Sequence, residues 1–270
     1  MQRLLIISFF LLFFLQSKAQ GDSLFIPERI IAGTIADFAV DNLGNTYILY
    51  DNGQLRKLDA GGDSVAVFND IRRYGKLHSV DVSNPLKVLL YFRDFGTIVI
   101  LDRFLNPRAV VDLRRQGLFQ VKAIAQSYDN NIWVFDELES KLKRIRDDGT
   151  LIDQFTDFRM IFDSMPSPEI ILDQHKQVYL YDPEMGIYIF DYYGTFRTRL
   201  PFLHWQDVAV SGNAVFGRTG NIIYRYEPGS LVLKQYHLPE SYSQARKVVI
   251  TPKAVYRLDD SAIHVFSYPE

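Results

Sequence analysis

The chain contains no cysteine in 270 residues. That absence excludes disulfides, thiolate metal sites and the lipid-modified cysteine of a lipoprotein, so stability has to come from an apolar core. Positive charge is not in excess either, with 30 Lys and Arg against 32 Asp and Glu. Nucleic acid is therefore not an implied partner, because such binding rests on neutralising phosphates with surplus Lys and Arg. No segment is long and apolar enough to span a bilayer, which takes roughly 20 residues. Long stretches of helical periodicity are missing. So are a His-Glu-x-x-His pair, a Gly-x-Ser-x-Gly elbow and a phosphate-cradling glycine loop, and no cofactor is implied.

What is present begins with Met1-Gln2-Arg3, an apolar run from Leu4 to Leu15, and Gln16-Ser17-Lys18-Ala19 before Gln20. This order of charged start, apolar centre and small residues predicts a signal peptide over 1–19, cleaved after Ala19. A single domain over 20–270 follows, a length that all-β folds often reach. Taking Arg3 and Lys18 from the 30 basic residues leaves 28 against 32 acidic ones, a mildly acidic mature chain.

A unit then recurs about every 40 residues, the spacing of four-stranded propeller blades. It reads Asn45-Thr46-Tyr47-Ile48-Leu49-Tyr50-Asp51 followed by Gln54 to Asp59 and Gly61-Gly62. It returns as Asn131 to Asp136 with Lys141 to Ile145 and Asp148-Gly149, and as Gln177 to Asp182 with Gly186 to Asp191 and Gly194. Lys87 to Tyr91 with Gly96 to Asp102 is a fourth copy, and two looser copies start at Asn213 and Lys253. Each is preceded by a short β-branched or apolar segment: Ala36–Asp41, Ser79–Val82, Val121–Gln126, Ile170–Asp173, Asp207–Val210 and Lys247–Thr251. The last copy lacks an outer strand, while Ser23 to Ile31 stands unpaired before the first. Joining the two closes the ring and removes a sheet edge, which predicts an all-β fold of six blades with an N-terminal strand completing the last.

The order Asn or Gly, aromatic, apolar, Asp, then alternating Arg or Lys with apolar residues, then Asp and Gly resembles the NHL-type and TolB-like six-bladed propellers. The resemblance covers roughly residues 36–268 and is clearest in the first, third and fourth units. It implies the fold. Members include lactonases, peptide-cyclising enzymes and protein-binding modules, so activity must be argued from a site.

In such a ring the inter-blade segments and the loops joining each second and third strand share one face. The inter-blade segments interleave basic and aromatic residues, among them Arg72, Arg73, Tyr74, His78, Arg114, Arg115, Phe119, Arg159, Met160, Phe162, His204, Trp205, Tyr242 and Arg246. Arg, Tyr, Trp, Phe and Met dominate binding interfaces, so these residues form a candidate partner face. The alternative is that the aromatics pack between blades and the arginines are merely solvated. The longest segment, Asp157 to Pro168, carries Met160, Ile161, Phe162 and Met165 and is expected to contact a partner. Asp51, Asp136 and Asp182 close second strands, with Asp94 and Asp259 nearby, and are expected to brace their own turns. For a metal, the resemblance to lactonases points only to Glu169 and Asp207 at the starts of inner strands. Two residues from separate blades are a weak ligand set, and His78 and His204 stand on opposite blades.

These features favour a non-enzymatic binding platform. The leader ending at Ala19-Gln20 and the Tyr- and Phe-rich blades resemble exported proteins of the Bacteroidota. That resemblance implies a periplasmic or peripheral outer-membrane location, with an envelope transport or secretion complex as partner. A metal-dependent hydrolase or lactonase at the channel mouth and a carbohydrate or peptide sensor are the alternatives.

Overall fold

Segments of five or six β-branched and aromatic residues, interrupted by Asn, Asp and Gly, favour short antiparallel strands joined by tight turns. In the computed structural model, which describes residues 25–268, those segments form six four-stranded sheets. Blade I comprises β2 (Ile35–Val40), β3 (Thr46–Tyr50), β4 (Leu55–Leu58) and β5 (Ser64–Phe68). Blade II comprises β6 (Ser79–Asp81), β7 (Lys87–Phe92), β8 (Thr97–Asp102) and β9 (Pro107–Asp112). Blade III has β10 (Val121–Gln126), β11 (Ile132–Asp136), β12 (Lys141–Ile145) and β13 (Leu151–Gln154). Blade IV has β14 (Ile170–Gln174), β15 (Gln177–Asp182), β16 (Gly186–Asp191) and β17 (Phe196–Leu200). Blade V has β18 (Gln206–Ser211), β19 (Ala214–Thr219), β20 (Ile222–Glu227) and β21 (Val232–His237). Blade VI has β22 (Lys247–Ile250), β23 (Ala254–Leu258) and β24 (Ala262–Ser267), and β1 (Ile26–Ala32) supplies its outer strand.

The six-bladed propeller read from the repeats is therefore the fold, closed as the leftover segments required. β1 runs antiparallel to β24 from Ile26 opposite Ser267 to Ala32 opposite Ala262. The predicted leader, 1–19, lies outside the described residues. Among the described residues no helix is long and apolar enough to cross a membrane.

Strand alternation fixes which loops share a face. Each inner strand runs one way, the second returns, and so on, so the loops between second and third strands and the inter-blade connections all emerge on one side. We call this the inter-blade face. The remaining turns form the opposite face, where Asp side chains brace them: Asp41 accepts from the backbone N–H groups of Leu43 and Asn45, both at 2.9 Å, and Asp191 does the same for Tyr193 and Thr195. On the inter-blade face two of the three second-strand aspartates behave likewise, Asp136 accepting from Leu138 and Glu139 and Asp182 from Glu184 and Met185, whereas Asp51 accepts no such bond among the described residues.

Apolar plugs join the blades, one from each of the five connections that follow blades I to V. Ile71, Leu113, Phe158, Trp205 and Tyr242 are all buried. Between blades III and IV, Phe158 stacks on Phe190 at 5.0 Å, and Trp133 and Phe155 meet edge-on at 5.4 Å. Polar ties reinforce the seams. The Tyr91 hydroxyl donates to the Val121 carbonyl at 2.6 Å, and the Tyr181 hydroxyl to the Trp205 carbonyl at 2.8 Å. Burying a polar group is costly unless it is bonded, so each such tie fixes one blade's register on the next.

Candidate functional site

The inter-blade connections of blades I to III repeat one short motif: Asp70-Ile71-Arg72-Arg73, Asp112-Leu113-Arg114-Arg115 and Asp157-Phe158-Arg159-Met160. The apolar second residue is the buried plug. In the latter two copies the aspartate caps the turn, Asp112 accepting from the Arg114 and Arg115 amides and Asp157 from that of Arg159 at 2.9 Å. The arginine after the plug lies over its own blade. Arg72 packs on Gly53, Arg114 donates to the Asp94 carbonyl at 2.7 Å, and Arg159 donates to the Glu139 carbonyl at 3.3 Å. Arg73 and Arg115 pair with Asp70 and Asp112 at 3.6 and 3.2 Å. The face is thus less basic than its arginines suggest, because each repeat brings its own carboxylate.

Three residues of the sequence-derived face are not displayed. Trp205 and Tyr242 are buried because the connection needs a large apolar group to fill the wedge between blades. Phe162 turns inward onto Tyr188 and Phe196, at 5.0 and 4.9 Å, and so closes the core beneath the Asp157 to Pro168 segment. Arg246 donates to the carbonyls of Ile35 and Ala36, at 2.9 and 2.8 Å, latching blade VI to blade I. Tyr74 is half-buried against Phe92. His204 sits exposed beside Glu184 at 3.5 Å, on a different blade from His78.

Two of the others stand out in solvent. Phe119 is 61% exposed and Met160 80%. Between and beside them stand Phe95 and Leu138, also exposed, from the second-to-third strand loops of blades II and III. Phe95 lies against Gly75, Phe119 shares a shallow depression with Arg93, Asp94 and Glu137, and Arg159 reaches the Glu139 loop next to Leu138. The inter-blade face thus carries exposed apolar tips from blades II and III and the connections after them, with arginines in the same loops. Sequence reasoning missed Phe95, Leu138 and Arg93 because they sit in loops read only as turns. Their signal is positional, since those loops share the face with the inter-blade segments.

At the channel mouth the start of every inner strand contributes one titratable side chain: Asp37, His78, Lys122, Glu169, Asp207 and Lys247. Lys247 pairs with Asp37 at 2.8 Å and Lys122 with Glu169 at 4.0 Å. Asp207 is held by the buried Arg218 at 2.6 Å. Burial raises the Asp207 carboxyl above its usual range, against the opposing pull of Arg218. Glu169 and Asp207 therefore each face a cation of their own, and they do not converge. Among the described residues no three His, Asp or Glu side chains are grouped to hold a metal. On the opposite face Asp173 accepts from Trp133 Nε1 at 2.7 Å, the Tyr128 amide and the Tyr192 hydroxyl, a closed bracing network between blades III and IV.

His78 is held below the usual histidine range, first by desolvation and then by Arg93. Its charged form is disfavoured in the folded protein, so its contribution to stability is present above the unfolded pKa and lost as pH falls through the lower folded value. An NMR titration of His78 should show a midpoint below about 6.5, moving upward in Arg93→Gln. An unchanged midpoint in that variant would show that Arg93 does not act on His78.

No protein-family model and no curated protein matches the sequence. Solved structures of like shape do. A streptogramin B lyase superposes with a TM-score of 0.59 at 14% identity, covering 86% of this chain and 78% of that one. Virginiamycin B lyase from Staphylococcus aureus gives 0.58 at 11% identity, covering 86% and 80%. BBS1N, in complex with ARL6DN, gives 0.59 at 10% identity, covering 92% and 98%. At these identities the likeness establishes the propeller fold alone.

Proposed function

We propose that this protein is a non-enzymatic, protein-binding propeller of the NHL-type or TolB-like kind. In this reading it acts in the bacterial cell envelope as an adaptor or accessory subunit of an outer-membrane-associated transport or secretion complex. The observation that carries the binding role is the set of exposed tips Phe95, Phe119, Leu138 and Met160, with Arg93, Arg115 and Arg159 in the same loops. Large exposed apolar side chains cost solvation unless a partner covers them, and aromatic, Met and Arg groups on a rigid scaffold are what hot spots are made of. One structure of like shape, BBS1N, is in complex with ARL6DN, so partner recognition is compatible with this architecture. Two others are lyases. That chemistry gains no support from the channel mouth here, where the carboxylates stand in ion pairs rather than around a vacant centre. The envelope location rests on the leader-like first 19 residues.

The test is purification of the tagged protein from its own envelope in mild detergent, with and without Phe119→Asp and Met160→Asp. The wild type should retain a stoichiometric partner and the double variant should lose at least about nine-tenths of it, a difference near 1.4 kcal/mol or more. Both positions are exposed, so the melting temperature should shift by no more than a few degrees. A partner retained in full by the folded variant would rule out this face.

A further inference from the structure

The seams between blades are unequally filled. On the blade IV side of blade V, Trp205 covers Gly217 so closely that a β-carbon there would lie 2.2 Å from the indole, and it stacks on Phe202 and Tyr224 at 4.1 and 5.3 Å. On the blade VI side the plug Tyr242 sits in one buried cluster with Ile223 and Val248 and packs against Phe25 and Phe266 at 6.0 Å each. The inner part of that seam is left open as a cavity of about 340 Å³ between β18 and β22. Its walls are apolar: Val208, Phe216, Ile223, Val248 and Ile250. This is within the size range of small-molecule pockets, about 300–1,000 Å³.

One end of the cavity is polar. β18 carries a bulge between Gln206 and Ala209, and Asp207 occupies it with φ +53°, a left-handed conformation that non-glycine residues rarely adopt. Bulges re-aim side chains, and here Asp207 meets Arg218 of its own blade and Val248 across the seam. Its Oδ2 accepts from Arg218 Nε at 2.6 Å and from the Val248 amide at 2.9 Å. Among the described residues its Oδ1 accepts no hydrogen bond, which leaves one unclaimed acceptor at that end. Lys247, which also lines the cavity, is paired with Asp37. Two carboxylates and two cations balance, so the site offers a charged ligand no net attraction.

We propose that the seam between blades V and VI binds a small uncharged ring compound, its apolar body between β18 and β22 and one O–H or N–H donor on Asp207. The apolar walls set the body, the free oxygen sets the head, and the balanced charges exclude ionised heads. This site is separate from the partner face and stands or falls independently of it.

Equilibrium dialysis with 2-naphthol, 2-methoxynaphthalene and 2-naphthoate tests the proposal on the full protein. 2-Naphthol should bind saturably with one site per chain, and the methyl ether, which lacks the donor, should bind about tenfold more weakly or worse. The naphthoate should also bind at least about tenfold more weakly, because its charge has no free partner. Filling the cavity with Ala209→Phe should reduce 2-naphthol binding by at least about tenfold. Ile250→Trp, at an exposed position of the lining, should do the same should Ala209→Phe not fold. No saturable binding, equal binding of the three probes, or unchanged binding in a folded cavity-filling variant would overturn the proposal.

Discussion

Arg218→Ala is expected to destabilise the protein by about 3–5 kcal/mol, the range for stranding one partner of a buried ion pair. Arg218 is 2% exposed, yet its guanidinium serves three places at once. It pairs with Asp207 at 2.6 Å, donates to the Gly220 carbonyl at 2.7 Å within blade V, and donates to the Ala245 carbonyl at 3.1 Å in the connection to blade VI. Truncation leaves those carbonyls without a donor and the buried carboxylate without its cation, with only the Val248 amide still donating to it. The loss should also depend on pH, in a direction that follows from linkage. Burial already raises the Asp207 carboxyl, and removing Arg218 takes away the force that opposes this. A carboxyl whose folded pKa lies above its unfolded value contributes stability at low pH that is lost as pH rises through the folded pKa. The variant should therefore lie closer to wild type near pH 5 than near pH 8 in urea unfolding. An equal loss at both values would mean that Asp207 does not take up the proton.

Deleting the closing strand should be costlier still. A chain starting at Gly33 lacks β1, so β24 becomes a raw edge and the cluster formed by Phe38, Tyr256, Ile263 and Val265 loses the cover of Ile31. The expectation is a fall in melting temperature of more than about 10 °C, equivalent to several kcal/mol in a domain of this size, or loss of a cooperative transition altogether. The exposed edge should also promote association of chains. Wild-type melting by the shortened chain would contradict the idea that ring closure, and not each blade alone, sustains the fold.

How much of this was legible in the sequence differs between backbone and face. The strand pattern was plain because alternation, β-branching and Asn, Asp or Gly turns recur in every unit. Val121–Gln126 is predicted and found with the same bounds, and the leftover Ser23 to Ile31 became β1 at Ile26–Ala32. Direction of side chains was harder. Trp205 and Phe119 are both aromatics in inter-blade segments, but one fills a wedge and the other stands in solvent, a distinction set by tertiary packing and not by local pattern. The Asp-apolar-Arg repeat around Ile71, Leu113 and Phe158 stands in the sequence but was not read from it, and neither was the pairing of its arginines with its aspartates. Nothing local foretold the seam cavity, which lies where β18 and β22 face each other.

The most direct measurement of the partner-face account is site-specific photo-crosslinking in the native envelope, with a benzophenone side chain placed at Phe119, Met160 or Tyr193. Tyr193 lies on the opposite face and is 94% exposed, so it controls for chance encounter. The account predicts one discrete adduct shared by positions 119 and 160 and none from 193. Adducts from 193 alone, or none from 119 and 160, would contradict it.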